Sequence, residues 1–328
     1  MSRKQWFTFL TILVILVTVQ VVQAVSLKLI LSVDQENGLG ESVSVHGSLM
    51  LDGSPVTDGF VAIQIDDPNE NLFVLRTLPT GDNPVGPWVV EIPELVTCDR
   101  FGNAKSSFTL GEGLGINITV KNNGLTSENV TVTLNLYDST GLPFIAQKLF
   151  QTELGPEQEE RRFIWPIPIS EYISLGPAFI YTSALYGWPN ENGFAYCPEA
   201  SVGFNIVGGG GGETYTSEES FGTSTPGEFN LTFRTNPEGG ITGNYSISAV
   251  SQYQMLFITN STTFEVILIG DVNDDGKVRV DDVLAVALAF GMNEGDEGWD
   301  PSVDINGDGK VRVDDVLIVA QAFGNYSG

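Results

Sequence analysis

The chain has 328 residues, of which 41 are Asp or Glu and 15 are Lys or Arg, giving a formal net charge of −26. That charge repels nucleic acid and anionic membrane surfaces and favours divalent cations. The only histidine, His46, leaves no histidine-based catalytic triad and no multi-histidine metal site.

Arg3 and Lys4 precede an apolar run from Trp6 to Val22 that ends at Val22, Gln23 and Ala24, the pattern of a secretory signal over residues 1–24. The run approaches the length of a spanning helix, so it is either cleaved or kept as a single-pass anchor. Both place the remainder outside the cytoplasm, secreted or at the cell surface. There, Cys98 and Cys197 are expected to close a disulfide, with free thiols as the alternative. Sequons at Asn117, Asn129, Asn230, Asn244, Asn260 and Asn325 fit a glycosylated surface. The chain beyond the signal is too long for one small core and suits two or three domains.

From Ser26 to Ile269 the apolar positions alternate with polar ones, as in residues 42–49, 60–65 and 129–137, and turn signals such as Asp52-Gly53 and Asn123-Gly124 separate the runs. The expectation is a mainly β chain of antiparallel, immunoglobulin-like β-sandwich domains. Five consecutive glycines at 208–212 read as a flexible linker. Residues 25–95 and 213–269 are each short of a complete sandwich. They are read either as two halves of one discontinuous domain, with residues 96–207 nested between them, or as members of a serial string. The runs 115–124 and 130–138 resemble the CARDB adhesion modules, and residues 47–56 resemble the opening strands of macroglobulin-like domains.

The strongest repeat lies near the C-terminus, where residues 271–282 recur almost unchanged at 304–315, differing only at Val272/Ile305 and Asp274/Gly307. In a calcium loop, side-chain oxygens at positions 1, 3 and 5, a main-chain carbonyl at 7 and a carboxylate at 12 surround the ion, with Gly at 6 for the turn. The candidate ligands are therefore Asp271, Asn273, Asp275, the Lys277 carbonyl and Asp282, then Asp304, Asn306, Asp308, the Lys310 carbonyl and Asp315, holding two Ca2+ ions. Position 9 is Arg279 or Arg312, which cannot supply an oxygen, so water is expected to complete each shell. Thirteen acidic against four basic residues between Gly270 and Gly328 repel one another, so calcium is expected to order the segment.

A loop followed by a helix, duplicated over residues 270–324 and lacking an entering helix, resembles a type I dockerin. The resemblance implies a small α-helical calcium module and docking onto a cohesin-like or other surface protein. Positions 10 and 11 are Val280-Asp281 and Val313-Asp314, where hydroxyl residues often stand in dockerins, so a standard cohesin partner is not implied. Val280, Asp281, Leu284, Leu288, Val313, Asp314 and Leu317 form the candidate docking surface. The two apolar helices exceed what a single packing stripe needs, so the surplus is expected to cover another chain or the adjacent β-domain.

The functional expectation is a non-catalytic surface, adhesion or scaffold protein with calcium-dependent docking. The alternative is a carbohydrate-binding or polysaccharide-degrading protein, because a glycosidase needs only two carboxylates and Trp88, Trp165 and Trp188 offer rings for sugar stacking. Asp66-Asp67 and the acidic run 157–160 read as solvated turns rather than catalytic pairs.

Overall fold

The computed structural model describes residues 25–81, 86–170, 173–208 and 225–328. The signal segment 1–24 and glycines 209–212 lie outside the described residues. The protein is mainly β, with several sheets and two α-helices among the described residues.

Two sheets share the first core. One orders strands Leu27–Val33, Ser42–Leu51 and Glu228–Arg234; the other orders Glu36–Gly38, Leu256–Ile267, Gly243–Tyr253, Phe60–Asp66 and Leu72–Pro79. Segments far apart in sequence alternate within them. Val45 lies opposite Leu231, and Ile65 opposite Ile247. The inward members of each alternation, including Val43, Val45, Ile63, Phe233 and Phe264, pack as one cluster between the sheets.

Residues 90–207 fold between these pairings. Strands Glu159–Pro168, Gly113–Asn122 and Val90–Cys98 form one sheet, while Pro143–Leu154, Glu128–Tyr137, Gly176–Thr182, Ala200–Val207 and Ser107–Thr109 form another. Their buried faces meet around Ile116, Leu134, Leu136 and Phe204 at one end and Ile118, Val120, Val130 and Val132 at the other.

The middle segment docks on strand Leu72–Pro79, the edge of the first body. Arg76 lays its guanidinium 3.3 Å from the Tyr181 ring centroid. Its Nε and Nη2 donate to Glu199 at 2.5 to 3.0 Å, and Thr77 N donates to the same carboxylate. Both charged side chains are almost fully buried, 8% and 4% exposed. Burial works against the Arg76 charge, yet the Glu199 carboxylate raises its proton affinity above the ordinary value. Asn135 accepts from Leu75 N, and Thr77 Oγ1 donates to Ser183 Oγ.

The expected disulfide does not form: Cys98 and Cys197 are buried free thiols. The Cys197 thiol hydrogen-bonds to the backbone of Ile92, and Cys98 ends the same strand six residues on. At about 3.3 Å per residue this separates the two by about 20 Å, several times the span of a disulfide. Burial pushes the Cys197 thiol up to about 12 and also raises Cys98.

The resemblance to a dockerin-type module is not upheld either. The C-terminal helices are only nine residues each, α1 (Val280–Leu288) and α2 (Val313–Gln321). Among the described residues, no group of three or more His, Cys, Asp or Glu side chains stands together as a metal site. The segment instead closes against the β-body: Tyr326–Ser327 pairs in parallel with Glu238–Gly240, and Asn325 Nδ2 donates to Leu39 O.

Candidate functional site

The duplicated loops fold alike, almost bond for bond. In the first, Asp271 Oδ1 accepts from Asp275 N at 3.0 Å and its Oδ2 accepts from Gly276 N at 2.8 Å. In the second, Asp304 Oδ1 accepts from Asp308 N at 3.2 Å and its Oδ2 from Gly309 N at 2.8 Å. The Asn273 and Asn306 side-chain oxygens accept from the same amides, Asp275 N and Asp308 N.

Both turns need backbone that few side chains adopt. Gly276 and Gly309 stand at φ +79° and +81°, where a Cβ carries a steric cost.

Each loop is closed by a carboxylate from the first turn of its C-terminal helix. Asp282 is 1% exposed and Asp315 is fully buried. Asp282 accepts from Val272 N and Arg279 N, and Asp315 from Asn306 N and Arg312 N. The N3 carboxylate of each helix thus satisfies the amide of the residue that precedes it. It also ties the loop to its helix.

The remaining predicted residues fall at the rim. Lys277 forms an isolated bridge with Tyr326, and Lys310 with Asn293. Asp281 and Asp314 are exposed and accept from Asn273 Nδ2 and Asn306 Nδ2. Arg279 and Arg312 each form an exposed ion pair with a loop aspartate, Asp275 at 3.9 Å and Asp308 at 3.6 Å.

Each loop offers a set of hard oxygen donors: three carboxylates, a carboxamide and a main-chain carbonyl. In the structure two of the three carboxylates of each loop accept from backbone amides, Asp271 and Asp282 in the first and Asp304 and Asp315 in the second, while Asp275 and Asp308 face Arg279 and Arg312. An oxygen that accepts one N–H retains a second lone pair, so the donor set is compatible with a calcium ion.

Between the loops, Val278, Val286, Val303, Val311 and Val319 form a small separate core. The opposite side of the helices is bare. Val280, Leu284, Leu288 and Phe290 on and after α1, and Val313, Leu317 and Phe323 on and after α2, are all more than half exposed, Leu288 by 78%. The predicted apolar docking residues are therefore left uncovered by the β-body.

Two groups of residues differ from the sequence reading. Asp66 is not a solvated turn residue: it is buried, accepts from Gln64 Nε2 at 2.8 and 2.9 Å and from Asn190 Nδ2, and burial raises its pKa. The three tryptophans do not share a platform. Trp88 packs edge-on against Phe60, and Trp188 adjoins the same cluster, while Trp165 is exposed on strand Glu159–Pro168.

No protein-family model matches the chain, and no curated protein matches it. Among solved structures, the C-terminal domain of wzt is similar at 10% identity, covering 43% of this chain and 81% of that one, with a TM-score of 0.31. The Pseudomonas fluorescens alkylpurine DNA glycosylase AlkC, bound to DNA with an abasic-site analogue, is similar at 16% identity over 37% of this chain, with a TM-score of 0.28; the match spans only 31% of that chain. A type II cohesin–X-dockerin complex from Acetivibrio cellulolyticus matches 31% of this chain and 71% of that one, at 22% identity and a TM-score of 0.17. Scores this low define no common fold. The resemblances to CARDB and macroglobulin-like modules gain no support from a family match.

Proposed function

We propose that this is a non-catalytic, extracytoplasmic surface or scaffold protein. Its nested β-sandwich body carries a pair of C-terminal loops that each take one calcium ion and together present an apolar helix face to a protein partner. The observation that carries this reading is the bare outer side of α1 and α2, where Val280, Leu284, Leu288, Val313 and Leu317 remain exposed. Exposed apolar side chains grouped on two neighbouring helices favour a contact site.

In this reading Asp271, Asn273, Asp275, Asp282 and the Lys277 carbonyl hold one ion, and Asp304, Asn306, Asp308, Asp315 and the Lys310 carbonyl the other. Each ion offsets carboxylate repulsion in a segment whose thirteen acids outnumber its four bases. Because Asp282 and Asp315 belong to both a loop and a helix, filling the loops would fix the angle at which the helices show their outer sides.

The test is capture of partner proteins from the source envelope by the immobilised mature chain, with calcium and with chelator. A partner retained only with calcium, and lost in the Leu284→Lys, Leu317→Lys double variant, supports the reading. Capture indifferent to both calcium and the variant contradicts it.

A further inference from the structure

A groove of about 670 Å³ opens where the first body, the middle segment and the C-terminal residues meet. Its walls include Asp67 and Phe73, the turn around Asp138, Arg234, the run from Asn236 to Ile241, and Tyr326. The size falls within the range of small-ligand sites, and it stands apart from the exposed side of α1 and α2.

The groove holds charges of both signs. Arg234 places its Nε on the Gly40 carbonyl at 2.5 Å. Among the described residues, no carboxylate comes within ion-pair distance of it, although five other arginines are so paired. Two of the acids in the wall are committed to their own turns. Asp138 accepts from Thr140 N, Thr140 Oγ1, Leu142 N and Ser174 N, and Asp67 accepts from Asn69 N, Asn71 N and Asn71 Nδ2. Glu238 is exposed at the rim beside Asn236, whose side-chain oxygen accepts from Glu238 N. Phe73 is fixed edge-on by Phe233 and Tyr245, and Tyr326 is 41% exposed.

These features narrow the ligand by its chemistry. A polyanion meets three carboxylates and the field of a chain carrying −26, whereas a cation meets Arg234. A wholly apolar ligand would strip water from Arg234 and Glu238 without replacing it. A neutral molecule whose hydroxyls both donate and accept can pair with a guanidinium, a carboxylate and a carboxamide at once, and the C–H faces of its rings suit aromatic walls. We propose that this groove binds a neutral oligosaccharide, with Arg234, Asn236 and Glu238 taking its hydroxyls and Tyr326 and Phe73 its apolar faces.

The test uses the mature full-length chain and calorimetric titration with cellohexaose, xylohexaose and mannohexaose, with hexagalacturonate as an acidic comparator. At least one neutral hexasaccharide should bind. Tyr326→Ala should weaken it roughly tenfold, the scale of one lost aromatic contact. Glu238→Lys, at an exposed side chain, should abolish binding by adding a second cation to the wall that holds Arg234, and Trp165→Ala, at a side chain that does not line the groove, should leave it unchanged. The proposal is overturned if no neutral hexasaccharide binds in the millimolar range, if hexagalacturonate binds better, or if binding is lost with Trp165→Ala and kept with the groove variants.

Discussion

The contact between the first body and the middle segment offers a sharp test of how the fold is held. Glu199 accepts from Arg76 Nε, Arg76 Nη2 and Thr77 N, and the paired side chains are 8% and 4% exposed. In Glu199→Ala the guanidinium stays under Tyr181 and Tyr137 with no counter-charge, and the Thr77 N–H loses its acceptor. Breaking a buried pair from one side costs about 3–5 kcal/mol, whereas replacing both partners by apolar groups of similar volume is often near neutral. The single variant should therefore lose about 3–5 kcal/mol in urea unfolding, followed by tryptophan fluorescence because Trp88 and Trp188 lie near this junction. The Arg76→Met, Glu199→Leu double variant should recover most of that loss. A loss below about 1 kcal/mol, the scale of an exposed pair, would refute the reasoning, as would a double variant no more stable than the single one.

Three further outcomes are expected of the same structure. Gly309→Ala places a Cβ at φ +81° and should destabilise the second loop by about 1–2 kcal/mol, read as an earlier loss of helical circular dichroism; an unchanged midpoint would count against the loop geometry. Burial pushes Cys197 and Tyr137 up to about 12, so both stay neutral in the fold while the unfolded chain ionises nearer their ordinary values. Their contribution is complete below pH about 9 and is lost as pH rises towards 12, by roughly 1.4 kcal/mol per pH unit for each group titrating; stability that is flat from pH 8 to 11 would contradict this. A thiol reagent should find both cysteines only after denaturation, and an unfolded, unreduced chain with no reactive thiol would contradict their free state.

The β character was legible because apolar alternation survives in strands with one face exposed, as in Glu228–Arg234. It misleads where a strand is covered on both sides. All seven residues of Phe60–Asp66 are buried, since Phe60 and Ala62 meet Leu185 and Ala195 of the middle segment. Gln64 and Asp66, polar positions that read as solvent-facing, are satisfied by each other and by Asn190. The Arg76–Glu199 pair joins residues 123 apart in the chain, and no spacing marks such a partnership in advance. The cysteine expectation failed for a related reason: an even count says nothing of the distance along strand Val90–Cys98 that separates the two thiols. The two loops fold alike because the repeat places matching Asp, Asn and Gly residues along them, but the sequence reading assigned those oxygens to an ion and did not foresee that Asp271 and Asp304 meet the loops' own amides. The closure of the C-terminus on Glu238–Gly240 depends on a contact with the body, which the repeat does not encode.

The most direct measurement is calorimetric titration of calcium into the chelator-treated mature chain, with a parallel titration of the Asp282→Asn, Asp315→Asn variant. The account predicts two ions bound by the wild-type chain and a marked loss of affinity in the variant, accompanied by a calcium-dependent gain in helical signal. An absence of calcium binding, or binding that survives the variant unchanged, would contradict it and leave the paired loops as self-capped structural turns.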